Sequence, residues 1–101
     1  MKKYIVYTKE KGKIETTNYC DFNTLTLHRE DGPAIREFYD NNELDYKAYY
    51  KNGKRHRING PAIIVFSNDG RLCYNAYYIN GKDYTKAEYD IKIFKMKLAL
   101  L

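Results

Sequence analysis

Apolar and polar residues alternate along two stretches of this chain, and such alternation predicts half-buried β-strands. In the first stretch, Leu44, Tyr46, Ala48 and Tyr50 would point to one side of a sheet, with other residues between them pointing to the opposite side. The second stretch, residues 72–78, carries the same four residue types at the same spacing. Because this face is identical in both stretches, we predict that it lies against the core.

Both stretches belong to a longer repeat, in which residues 28–55 correspond to residues 56–83. At this period of 28 residues, 15 of 28 positions are identical. The shared letters are His-Arg-x-x-Gly-Pro-Ala-Ile-x-x-Phe, followed by Leu-x-Tyr-x-Ala-Tyr-Tyr-x-Asn-Gly-Lys. Periods of about 20–50 residues are typical of repeat arrays, whose single units are too small to bury their own cores. We therefore expect the units to stack side by side.

The predicted fold class is α+β and mostly β: an antiparallel β-meander of about three repeated hairpins with one C-terminal helix. Asp69-Gly70 between two β-rich runs indicates a hairpin, and we read Gly12-Lys13-Ile14 as the counterpart of Gly70-Arg71-Leu72 in a degenerate N-terminal copy. The predicted strands are residues 3–8, 13–19, 33–39, 43–51, 61–67 and 71–79. The predicted single domain, residues 1–101, comprises a degenerate hairpin (1–26), two repeat units (27–55 and 56–83) and the helical segment (84–101).

After residue 84 the pattern changes to helical spacing, and we predict a helix over residues 86–100. Thr85 and Glu88 form the sequence signature of a capping box. The apolar positions that fall at helical spacing are Ala87, Ile91, Phe94, Leu98 and Leu101. This stripe would either cover the chain's own sheet, form a dimer or bind a partner, or lie on a membrane surface as a basic amphipathic helix.

Composition narrows the class of protein further. Lys and Arg total 18 against 13 Asp and Glu, a net charge of +5 that favours acidic partners or is simply a solvated surface. Cys20 and Cys73 have no metal-like spacing, so we expect two free thiols and a reducing compartment. The N-terminal apolar run is too short for a signal peptide, and no run reaches membrane-spanning length. We expect a cytoplasmic protein with no membrane association.

The repeat letters resemble a known family. The block Leu27-His28-Arg29-Glu30-Asp31-Gly32-Pro33-Ala34, its second copy at residues 56–62 and the Tyr-Tyr-x-Asn-Gly-Lys ending are similar to MORN-like repeats of small bacterial and phage proteins. The resemblance covers roughly residues 27–83. It implies an elongated stack of β-hairpins used as a binding scaffold, with antitoxins among the similar proteins. The standard MORN pattern has His-Gly-x-Gly where this chain has His-Arg-x-x-Gly-Pro.

His28 and His56 occupy equivalent repeat positions, and each precedes an arginine. One interpretation is a pair of general acid and base groups, with Arg29 and Arg57 stabilising a phosphate, as in a metal-free nuclease. The other is structural: each His-Arg pair begins a turn, with the histidine ring stacked on a tyrosine and the arginine bonding loop carbonyls. We favour the structural role, because a residue at the same point of every repeat usually builds the repeat. We predict neither a metal site nor a cofactor.

We predict a binding surface that combines the densest basic cluster, residues 51–57, with the sheet face that differs between the two repeats. The residues of this surface are Lys47, Tyr49, Lys51, Lys54, Arg55, Arg57 and Tyr77. Tyrosine and arginine often carry interface energy, while lysine with exposed rings also suits single-stranded nucleic acid. We expect no enzyme but a protein-binding module, such as a phage-encoded inhibitor of a bacterial defence nuclease complex or an antitoxin. The alternative is an RNA- or single-stranded DNA-binding protein, and a homodimer through the helix or a sheet edge is a further expectation.

Overall fold

The computed structural model describes residues 2–101, and Met1, the first residue of the predicted N-terminal unit, lies outside the described residues. The described chain extends over 45 × 34 × 18 Å, so it is a thin plate. Its elements are β1 (Lys3–Thr8), β2 (Gly12–Thr16), a 3₁₀ turn (Tyr19–Asp21), β3 (Ile35–Phe38), β4 (Leu44–Ala48), β5 (Tyr50–Lys51), β6 (Lys54–Arg55), β7 (Ile63–Phe66), β8 (Leu72–Ile79), β9 (Lys82–Tyr84) and α1 (Lys86–Ala99). This mostly antiparallel β fold with one C-terminal helix confirms the predicted fold class.

Seven strands form one sheet in the order β2-β1-β3-β4-β7-β8-β9, and β5 and β6 pair in a separate two-stranded ribbon. All strand pairs among residues 2–101 are antiparallel, and the two repeat hairpins share one register: Ile35 faces Ala48 as Ile63 faces Ala76. Both hairpins also shift register near their turns, at residues 37–38 and 65–66. The repeated letters thus produce a repeated backbone.

The N-terminal hairpin corrects one prediction. β1, not β2, lies beside β3, and Val6 faces Ile35 just as Ala48 faces Ile63 in the next unit. Strand β1 therefore corresponds to the second strand of a repeat unit, and the alignment of Gly12 with Gly70 is wrong. The pairing partner of β1 decides the correspondence, and that partner lies about 30 residues away in the sequence.

The predicted core face is confirmed in the middle of the sheet. The buried cluster consists of Val6, Phe22, Ile35, Ala48 and Ile63, and the half-buried residues against it include Tyr46, Tyr50, Ala76 and Tyr78. Phe22 comes from the segment between β2 and β3, and its ring lies 5.3 Å from that of Tyr4. The face opens toward the end of the array, since Leu72 and Tyr74 are 58% and 57% exposed.

Helix α1 begins as predicted, with Thr85 as its N-cap and both bonds of the capping box formed with Glu88. The side of the helix that faces the sheet was not predicted. It carries Tyr89, which is buried, and Ile93 and Met96, which are half-buried. The apolar stripe predicted from the sequence lies on another side of the helix and is exposed. No helix of residues 2–101 combines the length and apolarity needed to cross a membrane.

Candidate binding surface between the repeat loops

Each repeat unit opens with a six-residue loop, the first loop (residues 28–33) and the second loop (residues 56–61). The histidine that begins each loop makes the same two hydrogen bonds in both repeats. The backbone N–H groups of His28 and His56 donate to carbonyls of the preceding unit at 3.0 and 2.9 Å. Their Nδ1 atoms accept from the backbone N–H groups of Asn52 and Asn80 at 2.9 and 3.0 Å. Each histidine therefore ties its loop to the Asn-Gly turn of the same unit.

The arginine that follows each histidine lies flat on a tyrosine of the preceding unit. The guanidinium carbons of Arg29 and Arg57 are both 3.9 Å from the ring centres of Tyr7 and Tyr49. Each guanidinium also donates to the carbonyl of the proline that ends its own loop, at 3.2 and 3.1 Å. These contacts combine cation–π attraction with hydrogen bonds. It is the arginine, and not the histidine as predicted, that stacks on tyrosine.

The two positions at the loop tips differ between the repeats. In the first loop, Asp31 accepts from Arg29 Nε at 2.9 Å and neutralises the guanidinium. In the second loop, Asn59 occupies the same position and accepts from Arg57 Nε at 3.2 Å, but it carries no charge. The ion pairs of residues 2–101 include none for Arg57. Its positive charge is therefore not neutralised within the described chain.

The neighbouring tip position changes from a charge to an apolar side chain. Glu30 in the first loop lies 3.1 Å from His28 Nε2 and 3.9 Å from Lys51 Nζ. Ile58 in the second loop corresponds to Glu30 and is 51% exposed. A large apolar side chain at the tip of a loop is costly to hydrate, and it is a common anchor when another surface covers it.

An open cleft of about 440 Å³ separates the two loops. Its walls carry both signs of charge together with tyrosine rings. The residues lining it are Arg29, Glu30, Asp31, Gly32, Tyr49, Tyr50, Lys51, His56, Arg57, Ile58 and Asn59. Three predicted binding residues, Tyr49, Lys51 and Arg57, thus meet in this cleft. The tips of the two loops, residues 30–31 and 58–59, also line the cleft, and the prediction did not include them.

The remaining predicted binding residues lie elsewhere. Arg55 turns to the core face of the sheet, where its guanidinium donates to the hydroxyls of Tyr50 and Tyr78 at 3.3 Å each. Lys54, on the β5–β6 ribbon, and Lys47, on β4, do not line the cleft. The predicted basic cluster is therefore divided, because Arg55 lies opposite Tyr50 across the β5–β6 ribbon and points to the core side, whereas Lys51 and Arg57 line the cleft.

Tyr77 does not line the cleft and lies instead in a second pocket, between the second loop and the helix. Its ring centre lies 4.7 Å from that of Tyr89, on α1. The Tyr89 hydroxyl donates to the carbonyls of Arg57 and Gly60 at 2.7 and 3.0 Å and accepts from the Gly60 N–H at 3.2 Å. Tyr89 thus covers the last repeat tyrosine, where an arginine covers the earlier ones, and it closes the array.

The electrostatics of the cleft favour a neutral imidazole at His56. Partial burial lowers the pKa of His56 below its ordinary value of 6.5, and the neighbouring Lys51 ammonium lowers it further. The hydrogen bond to Nδ1 also requires that this nitrogen carries no proton. His56 is therefore held as a hydrogen-bond acceptor.

Comparison with known proteins adds no name to this geometry. No family model, curated protein or solved structure matches the chain.

The two cysteines form no disulfide, and the metal-ligating side chains among residues 2–101 form no cluster. Cys20 and Cys73 are exposed and unbonded. Among residues 2–101, no three His, Cys, Asp or Glu side chains come together in an arrangement that could hold a metal ion.

The cleft residues that the prediction missed include the four loop-tip residues Glu30, Asp31, Ile58 and Asn59. The sequence did contain a signal for them. They are the two loop positions at which the repeats differ, and the flanking histidine, arginine, glycine and proline are identical. A substitution inside an otherwise unchanged loop indicates a position that the backbone does not constrain.

Proposed function

We propose that this chain is a non-enzymatic protein-binding module, and that the cleft between the two repeat loops is its contact surface. Tyr49, Lys51 and Arg57 would form the polar part of this surface, and Ile58 its apolar anchor. The loops are held by matching hydrogen bonds on a regular sheet, so the surface needs little ordering when it binds.

The mixed charge of the cleft carries this proposal. Glu30 and Asp31, whose side chains are 69% and 85% exposed, lie in the same cleft as Lys51 and Arg57. A nucleic-acid backbone offers only negative phosphates, so the two carboxylates would repel it. A protein surface can present a cation to the acidic tip and a carboxylate to Arg57 at once.

The tyrosines support the same choice. Base stacking requires a free ring face. One face of Tyr49 is covered by the Arg57 guanidinium at 3.9 Å, and Tyr77 is in contact with the Tyr89 ring at 4.7 Å. Both rings therefore contribute to the internal packing of the array. RNA or single-stranded DNA remains the second candidate because of the net charge of +5.

The non-enzymatic part of the proposal rests on the histidines. A general acid or base must exchange a proton with the substrate. The Nδ1 atoms of His28 and His56 are both occupied by backbone N–H groups, and His28 Nε2 is in contact with Glu30 at 3.1 Å. This arrangement suits side chains that build the loops.

We further propose that the partner is a cytoplasmic protein whose activity this chain blocks, as a phage-encoded inhibitor of a bacterial defence system or an antitoxin does. The resemblance of the repeat block to MORN-like proteins of bacteria and phages supports this reading. A cleft between two tethered loops can cover one site on a larger protein.

The test is a pull-down of the tagged full-length chain from a bacterial extract, with and without added nuclease. Retained material is analysed by mass spectrometry and by absorbance at 260 nm. We expect a protein that survives nuclease and moderate salt and that is lost when Ile58→Glu is introduced. Retention of nucleic acid alone, released steeply by salt, would instead establish the second candidate.

A further inference from the structure

Helix α1 presents one apolar side to its own domain and a second one outward. Tyr89, Ile93 and Met96 face the domain and are buried or half-buried. Ile91, Phe94 and Leu98 lie on another side and are 57%, 62% and 51% exposed. With 3.6 residues per turn, this spacing of three and then four residues aligns the three side chains in one stripe.

The chain's own domain leaves the outward stripe largely exposed. Scattered exposed apolar residues are normal, but a contiguous stripe of large side chains usually marks an interaction site. Helices that bind in a groove of another protein present anchors at this spacing. The last two residues, Leu100 and Leu101, are also exposed and extend the apolar surface past the end of α1.

The charges beside the stripe indicate what covers it. The two acidic residues of α1 are engaged locally, since Asp90 pairs with Lys86 at 2.6 Å and Glu88 closes the capping box. Lys92, Lys95 and Lys97 belong to no ion pair among the described residues. The C-terminal half of the helix thus combines an apolar stripe with lysines that have no carboxylate partner.

We propose that α1 inserts this stripe into an apolar groove of a partner protein, and that acidic residues rim the groove and pair with the lysines. The inference rests on the proposed function, because it specifies the partner of a protein-binding module. A second copy of the chain fits less well, since stripe-to-stripe packing would bring the lysines of both copies together. An anionic bilayer fits less well too, since Glu88 and Asp90 adjoin the stripe.

The experiment uses two cross-linkers on the full-length chain. The photoreactive amino acid p-benzoylphenylalanine replaces Phe94, and, in a matched control, Ala99, which is also exposed but lies about 140° away around the helix. After illumination in a bacterial extract, a carbodiimide joins lysines to carboxylates without a spacer. Adducts are mapped by mass spectrometry. Vesicles containing anionic lipid and sedimentation velocity report membrane binding and self-association.

The expected result is an adduct from position 94, and not from position 99, at an apolar site of one protein. The same protein should carry amide links from Lys95 or Lys97 to its Asp or Glu residues. Adducts confined to a second copy or to lipid would overturn the inference, and so would a protein adduct without nearby carboxylate links.

A pair of variants separates this inference from the proposed function. Phe94→Asp should lower retention of the partner at least about tenfold, whereas Ala99→Asp, with the same change in charge, should leave it within about twofold. Equal retention by both variants would contradict the stripe as an interface and leave the loop cleft as the contact surface. Failure of the wild-type chain to retain any protein would contradict the proposed function itself.

Discussion

The first loop, residues 28–33, and the second loop, residues 56–61, share a backbone and differ in the chemistry of their tips. In both, the histidine accepts from an asparagine N–H, and the arginine lies 3.9 Å from a tyrosine of the preceding unit. The tip of the first loop is Glu30-Asp31, which neutralises its arginine, and the tip of the second is Ile58-Asn59, which does not.

The two loops contain two kinds of residue, those that are identical in both loops and those that differ. Histidine, arginine, glycine and proline are identical in both loops because their contacts form the loop. The tip residues make few contacts that the backbone needs, so their chemistry is free to vary. We infer that the identical residues specify the scaffold and that the differing ones specify what the cleft binds.

The largest effect should come from the arginines. Arg57→Ala and Arg29→Ala each remove a stacked guanidinium and its hydrogen bonds, and each should lower the free energy of unfolding by about 2–3 kcal/mol. Equal losses, measured by urea denaturation, would support a shared structural role. A loss at Arg57 of less than about 0.5 kcal/mol would contradict this structural role.

The glycines should differ between the loops. Gly60 has a φ of 152°, which only glycine adopts easily, and Gly32 is not among the glycines with positive φ. An added Cβ would approach the arginine of its own loop to 3.0 Å at either position. Gly60→Ala should therefore cost about 2 kcal/mol, and Gly32→Ala less than about 1 kcal/mol. Thermal unfolding of the two variants checks the order, and the reverse order would contradict it.

The helix should stabilise only the second loop. The Tyr89 hydroxyl makes three hydrogen bonds to the backbone of residues 57 and 60, and Tyr89→Phe removes them while keeping the ring. We expect a loss of about 1–2 kcal/mol. Hydrogen exchange should accelerate in residues 56–61 and remain unchanged in residues 28–33. Equal acceleration in both loops would show that the helix supports the array as a whole.

The smallest effect concerns pH. The pKa of His56 is lowered in the folded state, so the unfolded chain binds the proton more readily. Stability from this group is present above the unfolded pKa of 6.5 and is lost as the pH falls through the lower folded pKa. In His56→Asn, which keeps an acceptor, this part of the pH dependence should disappear. Unfolding midpoints between about pH 7 and pH 5, compared with wild type, measure the difference; an unchanged slope would contradict it.

Local features of this fold could be predicted from the sequence. The repeat predicted matching hairpins, and the capping box predicted the start of α1, because both depend on residues close together in the chain. The position of β1 could not be predicted from such features, because its neighbour β3 is distant in sequence. Nor could the packed side of α1, because Tyr89 and Phe94 belong to two different apolar rows at helical spacing, and only tertiary contacts distinguish the two rows.

The candidate site was predicted in part for the same reason. Tyr49, Lys51 and Arg57 come together, since the turn at Asn52-Gly53 folds residues 54–57 back beside residues 49–51. Arg55 does not, because its guanidinium turns to the hydroxyls of Tyr50 and Tyr78 on the opposite face. Across the β5–β6 ribbon Arg55 faces Tyr50 while Lys51 faces Lys54, so basic residues that are close in sequence point to opposite sides.

The most direct test replaces the tip of the second loop with that of the first. The double variant Ile58→Glu with Asn59→Asp keeps every repeated residue and neutralises Arg57. We measure the amount of partner protein that it retains from a nuclease-treated bacterial extract, relative to wild type. We predict a loss of at least about tenfold, with the free energy of unfolding within about 0.5 kcal/mol of wild type. Undiminished retention by the folded variant would contradict the claim that the loop tips specify binding.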